Sequence, residues 1–257
     1  MAIRRFRTRV ILLLELVFLG MSAFIVFRST RESAIRRGKV PVDYFSPVSK
    51  TLVIATTTEG NTTWLDDVRS DWTILSYVSD DPTAELTVPA NRGNEAMVYL
   101  TYIVDNYEDL PDITYFHHDH LIAWHQILDS VTEVNNLQTN LVKDEGYVST
   151  RCVPGCENYI PLSKTVVSLN VIGTAGRELQ IPTFLRHFIG EDYPMPEVIA
   201  APCCGQFAAS KDAILRRSKE FWQKLQAWLA DTPLDSSTSG RLIEYTWHIL
   251  FGMESKQ

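Results

Sequence analysis

The 257-residue chain is 45% hydrophobic and carries 24 Lys/Arg against 31 Asp/Glu, with four cysteines and six histidines. Its charge is divided. Residues 1–39 hold nine Lys/Arg and two acids, a net of +7, whereas the remainder holds 15 against 29, a net of −14. A part that acidic repels phosphate backbones and sets nucleic acid aside as a partner, although a phosphorylated small molecule bound through a cation stays open.

Residues 1–9, with Arg4, Arg5, Arg7 and Arg9, read as a cytosolic tail. Val10 to Phe27 is an 18-residue apolar run with one charge, Glu15, at the short end of a membrane span. Arg28, Arg31, Arg36, Arg37 and Lys39 follow it, so basic flanks alone do not orient the helix. The short leading tail favours a signal anchor with the acidic part translocated; a cleaved signal peptide, giving a secreted protein, is the rival reading. The expected organisation is therefore a type II single-pass membrane protein of the secretory pathway, in Golgi or ER. It comprises a tail (1–9), a transmembrane anchor (10–27), a stem with Pro41 and Pro47 (28–50) and one lumenal α/β domain (51–252). In that compartment the sequon Asn61-Thr62-Thr63 predicts glycosylation at Asn61.

Residues 51–57 read as a buried strand, Trp64 to Arg69 as a short helix and Trp72 to Val78 as a second strand. Asn94 to Asn106 has helical spacing, ended by Leu110-Pro111, and Ile113 to Phe116 is a third strand. A helix is expected over Trp124 to Val131, a strand over Tyr147 to Thr150, loops over 151–180 and a helix over Ile181 to Phe188. Short strands at Ile199 to Ala201 and Gln206 to Ala209 flank Cys203-Cys204. One helix is expected to run from Lys211 to Leu229 and a last one from Gly240 to Phe251. Strands alternating with helices predict an α/β domain, a mixed sheet flanked by helices.

Four histidines fall within nine residues, in Phe116-His117-His118-Asp119-His120 and Trp124-His125, directly after an apolar strand. Loops beyond the carboxyl ends of strands are where such sheets bind ligands. In extended backbone His118 and His120 face one way and His117 and Asp119 the other. Two imidazoles on one side suit a transition metal, so His118 and His120 are metal candidates, or they donate to diphosphate oxygens. A polar loop whose histidines bond to backbone groups is the plainer alternative.

Cys152, Cys156, Cys203 and Cys204 are an even set suited to disulfides in an oxidising lumen. Neighbouring cysteines rarely pair, so each of Cys203 and Cys204 is expected to bond to one of Cys152 and Cys156; zinc is the alternative. Arg241, Glu244 and His248 are spaced to share one helix face. Arg241 would clamp an anion while Glu244 or His248 acts as base; an Arg–Glu helix pair beside a core Trp247 is the rival reading. Asn91 to Glu95 opens the long helix and has no full phosphate-loop pattern, so Glu95 is read as compensating the helix dipole.

Gly93 to Ala96, Tyr99-Leu100, Asn106-Tyr107, Leu110 to Asp112, Phe116 to His120, Trp124-His125, Gly146-Tyr147, Cys203 to Ala208 and Ser239 to Gly252 together resemble a fungal family, the domain of unknown function 3431. The resemblance spans about residues 51–252. In that family the helix entry reads Gly-Arg-Glu-Ala; Asn94 stands in the arginine's place here. The order of elements is also similar to A-type nucleotide-sugar glycosyltransferases, where an Asp-x-Asp motif after a strand holds a divalent metal. His118-Asp119-His120 takes that place with a single acid.

The resemblance implies a glycosyltransferase-like lumenal enzyme using a nucleotide-sugar donor. His118, Asp119, His120, His125 and Arg241 would bind substrate, with a divalent metal as the one cofactor in view, and Glu244 and His248 would carry the chemistry. Two other functions stand beside it. One is a metal-dependent tailoring enzyme of a fungal secondary-metabolite pathway with His118, His120 and His125 as ligands. The other is a non-catalytic membrane-anchored binding protein. Small-molecule or glycan substrates fit each of them.

Overall fold

The computed structural model describes residues 47–151, 157–162 and 177–256, and Val48 onward forms one compact unit. The apolar run at 10–27 and the pair Cys152 and Cys156 lie outside the described residues. Among the described residues no helix is long and apolar enough to cross a membrane.

A five-stranded mixed sheet organises the unit. Its strands are β1 (Lys50–Thr56), β2 (Thr73–Val78), β3 (Ile113–His118), β4 (Tyr147–Ser149) and β7 (Phe207–Ser210), in spatial order β2-β1-β3-β7-β4. β1 runs parallel to both β2 and β3, and β7 is antiparallel to β3 and β4. Strands covered on both faces need apolar residues at successive positions rather than alternate ones, which Leu52-Val53-Ile54 supplies. Alternation then sends Val53 and Phe116 into one core and Leu52, Ile54 and Tyr115 into the other. A separate hairpin pairs β5 (Glu157–Pro161) with β6 (Val198–Pro202). β5 replaces the loop expected there.

α1 (Glu95–Asp105) connects β2 to β3. Its residues Ala96 to Ile103 are all buried, so it is apolar around its whole circumference and packs between the sheet and α6 (Lys219–Asp231). Two short helices, α2 (Ser130–Asn135) and α3 (Thr139–Glu145), follow β3, and α4 (Ile181–Ile189) precedes β6.

Several expected helices are shorter or broken. Residues 124–129 form a loop. The helix starts only at Ser130, where the Asp129 carboxylate accepts from the Thr132 amide (2.8 Å), and a side chain bonding that amide ends the loop. The single helix expected from Lys211 to Leu229 is two, α5 (Lys211–Ile214) and α6, because Ser218 caps a fresh start. The last helix likewise divides into α7 (Ser236–Glu244) and α8 (Trp247–Leu250). Thr246, at φ −120° and ψ 0°, interrupts the turn, and its hydroxyl is spent on the Leu242 carbonyl oxygen (2.7 Å).

The strand order fixes where a ligand can sit. The chain leaves β1 toward β2 on one side and returns through α1 to β3 on the other. The carboxyl ends of β1 and β3 therefore diverge into opposite connections, and the crevice between them is the topological switch point.

Candidate metal centre and cleft

A cleft of about 360 Å³ opens at that switch point. Its walls come from Ala55, Thr56 and Thr57 after β1, Ser79 after β2, and His118, Asp119 and His120 at the end of β3. Asn91, Asn94, Glu95 and Val98 at the start of α1 complete it. His118 and His120 both reach the cleft, as expected. Asp119, expected to face away with His117, reaches it too, because the strand ends at His118 and regular alternation ends with it. The Asp119 carboxylate accepts from the Thr56 hydroxyl (2.8 Å) and its carbonyl oxygen from the Trp64 indole N–H (2.6 Å). These bonds pin the backbone between the two histidines. Gly60 is required beside them, since a Cβ there would overlap the Thr56 hydroxyl and the Asp119 carboxylate.

His125 completes the group from the loop after β3. It is buried, and its ring centroid lies 6.1 Å from that of His118 and 5.5 Å from that of His120, which are 5.1 Å apart. One ring nitrogen from each histidine falls within 4.8 Å of the others. His118 Nε2, His120 Nε2 and His125 Nδ1 are buried without a hydrogen-bond partner. Three buried nitrogens without a partner, on three rings gathered at one place, are costly unless something binds there.

The electrostatics favour neutral rings. Burial, then the neighbouring imidazoles, hold His118 well below its usual value. Burial and His117 lower His120, and burial with Arg151 brings His125 down to about 4. Neutral imidazole is the ligand form for a transition metal. The donor set fits zinc or a similar borderline cation. Bonds of about 2.0–2.1 Å place ligand nitrogens roughly 3.4 Å apart in a tetrahedron, so nitrogens now within 4.8 Å of one another would close by up to roughly 1.4 Å.

Below the cluster, fully buried His117 bonds through Nδ1 to the His118 carbonyl oxygen (2.8 Å) and sets Nε2 3.6 Å from Glu133. Since a carbonyl only accepts, Nδ1 carries the hydrogen. Buried Arg151 forks onto both Glu133 oxygens. Burial raises the Glu133 carboxyl, but neighbouring His117 and the fork from Arg151 outweigh it and hold the carboxyl below its usual value. This Arg–Glu–His chain fixes the strand end that carries His118.

Glu95 is the residue that sequence reasoning undervalued. It lines the cleft, and burial followed by the Glu244 charge raises its carboxyl to about 7. Gly93 (φ 68°) and Asn94 (φ 55°) bend the chain into α1 so that its first residue faces the cleft. Arg92 turns away and donates to the Thr232 carbonyl oxygen (2.7 Å) and the Leu234 carbonyl oxygen, the end of α6.

Arg241 and Glu244 form an ion pair at 2.8 Å, and Glu244 also accepts from the Cys204 amide (2.9 Å). Both charges act on Glu95, with opposite signs. Arg241, Glu244 and His248 are not among the residues lining the cleft. His248 sits on α8 rather than on the α7 face that holds Arg241 and Glu244. It is buried against the Ser255 carbonyl oxygen (3.3 Å), and burial lowers it to about 4. Cys203 and Cys204 are bonded to each other, which corrects the expected pairing with Cys152 and Cys156. They occupy the β6–β7 turn, where Cys204 (φ 79°) and Gly205 (φ 58°) bring adjacent sulfurs together. Gly205 is favoured there by its left-handed backbone (φ 58°), and the Glu95 carboxylate packs against it where a Cβ would lie at 2.9 Å.

The family described as protein of unknown function DUF3431 matches residues 52–257, which takes in the sheet, the cleft and the histidine cluster. The chain belongs to that family. No curated protein and no solved structure matches it. The DUF3431 region thus includes His118, His120, His125 and Glu95 together.

Proposed function

We propose that this DUF3431 protein is a metal-dependent enzyme. His118, His120 and His125 hold one divalent transition metal, and Glu95 is the proton acceptor facing it across the cleft. The observation that carries this reading is the convergence of three neutral imidazoles, each with a buried nitrogen that lacks a hydrogen-bond partner, beside a polar cleft that His118 and His120 line. His118, His120 and His125 would hold the ion with three protein ligands, the number found in catalytic rather than structural zinc sites. A bound ion supplies Lewis acidity to a water or hydroxyl oxygen there. Glu95, whose carboxyl burial and then the Glu244 charge raise to about 7, would take up the proton of the oxygen nucleophile and return it to solvent at neutral pH. Asn91, Asn94 and Ser79 offer amide and hydroxyl groups for orienting a polar substrate. The reaction class is metal-assisted attack of an oxygen nucleophile on an electrophilic centre.

Glycosyl transfer is the second reading within that class, and the site's position favours it. The cleft lies at the carboxyl ends of β1 and β3, where doubly wound sheets take nucleotides. An imidazole-held ion would then meet the donor diphosphate, and the acceptor hydroxyl would be the nucleophile. A fungal tailoring enzyme uses the same centre on another electrophile. A lumenal, type II placement through residues 10–27, with a glycan at Asn61, suits either; Asn61 is exposed.

Elemental analysis of the purified full chain tests the metal reading. One equivalent of zinc, iron, copper or manganese, lost in His125→Ala, is expected. A metal-free wild type that takes up no ion on incubation contradicts it. Metal-dependent hydrolysis of a nucleotide sugar by the loaded protein separates the glycosyltransferase reading from the others.

A further inference from the structure

Eight large hydrophobic side chains are exposed among the described residues, and five of them belong to one eight-residue stretch: Leu121, Ile122, Trp124, Ile127 and Leu128. Trp124 is 79% exposed and Ile122 70%. The stretch is a closed loop. At its base the Ser130 hydroxyl donates to the carbonyl oxygens of His120 (2.7 Å) and Leu121 (3.1 Å), and the Ser130 amide donates to Leu121 (2.9 Å). His125 turns inward to the other histidines, while Trp124 before it and Ile127 and Leu128 after it are exposed. The loop is therefore shaped from within by the histidine cluster and presents an apolar tip.

The occupant of that tip follows from the chain itself. Residues 10–27 are an apolar run flanked by arginines, and only 20 residues separate Phe27 from Val48. Even fully extended, those residues reach roughly 70 Å, so an anchored chain keeps its folded unit beside a bilayer at high effective concentration. Tryptophan with Leu and Ile is the composition that settles at the headgroup boundary. The acidic balance beyond residue 39 favours a zwitterionic leaflet over an anionic one. We infer that the Leu121–Leu128 loop docks the folded unit onto a lipid bilayer, Trp124 foremost, which sets the metal centre at the membrane surface. The docking rests on the anchor reading of residues 10–27 and is independent of the metal.

Tryptophan fluorescence isolates it in the full chain, because residues 1–63 contain no tryptophan. Trp64, Trp72, Trp222 and Trp247 are buried, and Trp228 is half-buried against Phe184 and Phe188. In phosphatidylcholine vesicles with brominated acyl chains, quenching of the wild type is expected to be lost in Trp124→Phe, and iodide is expected not to reach Trp124. It should weaken when half the lipid is phosphatidylserine. If the chain floats with the vesicles but Trp124 stays open to iodide, the loop proposal is overturned while the anchor stands. Protection from iodide without bromolipid quenching means that protein covers the loop, and also overturns it. A wild type that fails to float removes the anchor reading, and the docking with it.

Discussion

Two segments of this chain invite the same reading as sequence: the His118–His125 stretch, with three imidazoles and one acid, and the Arg241–His248 stretch, with one imidazole and an Arg–Glu pair, each within eight residues. Folded, they differ. The first converges because a strand end, a tied Asp119 and a loop closed by Ser130 aim three rings at one point. The second divides because the helix breaks at Thr246, sending Arg241 and Glu244 toward Glu95 and His248 into the core. Helical spacing places side chains on one face only while the helix lasts. Clustering just past a buried strand of an α/β sheet is the stronger cue, since topology dictates what happens there.

The largest expected contrast between the two segments is in metal content. His118→Ala, His120→Ala or His125→Ala should each remove the ion and activity, while His248→Ala should leave the metal in place. What His248→Ala costs is packing, about 1–3 kcal/mol for a buried polar group and its space, read as a lower unfolding midpoint in urea. Loss of metal in His248→Ala with retained fold would undo the division. Next is Glu95→Gln, which should keep the metal and lower kcat by roughly 10²–10⁴ as expected for a lost proton acceptor. A smaller effect sharpens the link between segments. The Glu244 charge raises the Glu95 carboxyl, so Glu244→Gln should shift the acidic limb of the pH–rate profile downward from about 7.

Acid stability follows from the same burial. His125 and His248 both fall from 6.5 to about 4 in the folded protein, so between those values the unfolded chain binds more protons than the native one. The stability these two rings contribute is full above pH 6.5 and lost as pH falls toward 4; the Glu95 carboxyl, raised to about 7, works the other way and offsets part of it, so the melting temperature should fall toward pH 4 in the wild type and more steeply in Glu95→Gln. A flat profile across that range in Glu95→Gln would contradict the buried placement of both rings.

Much of the architecture was legible. The apolar runs at Leu52–Ile54 and Ile113–Phe116 announced strands, and the spacing from Ala96 to Ile103 announced a helix, because burial on both faces leaves so plain a pattern. Helix interruptions were not. Ser218 and Thr246 break their helices through local bonds to backbone, which an amphipathic pattern conceals. Of the candidate site, His118, His120 and His125 were marked by density alone. In sequence Glu95 shows only as a first-turn helix acid, since its placement depends on the positive φ of Gly93 and Asn94 and its raised carboxyl on burial and on Glu244, 149 residues away. The Cys203–Cys204 bond was discounted because the turn backbone that permits it is a tertiary outcome.

Cobalt(II) titration of the metal-stripped full chain, followed by visible absorbance, addresses the central claim most directly. Three imidazoles with one open position predict intense d–d bands of a four-coordinate ion saturating at one equivalent, abolished in His125→Ala and retained in His248→Ala. Weak octahedral absorbance, or bands that persist in His125→Ala, would show that the three histidines do not form a metal centre.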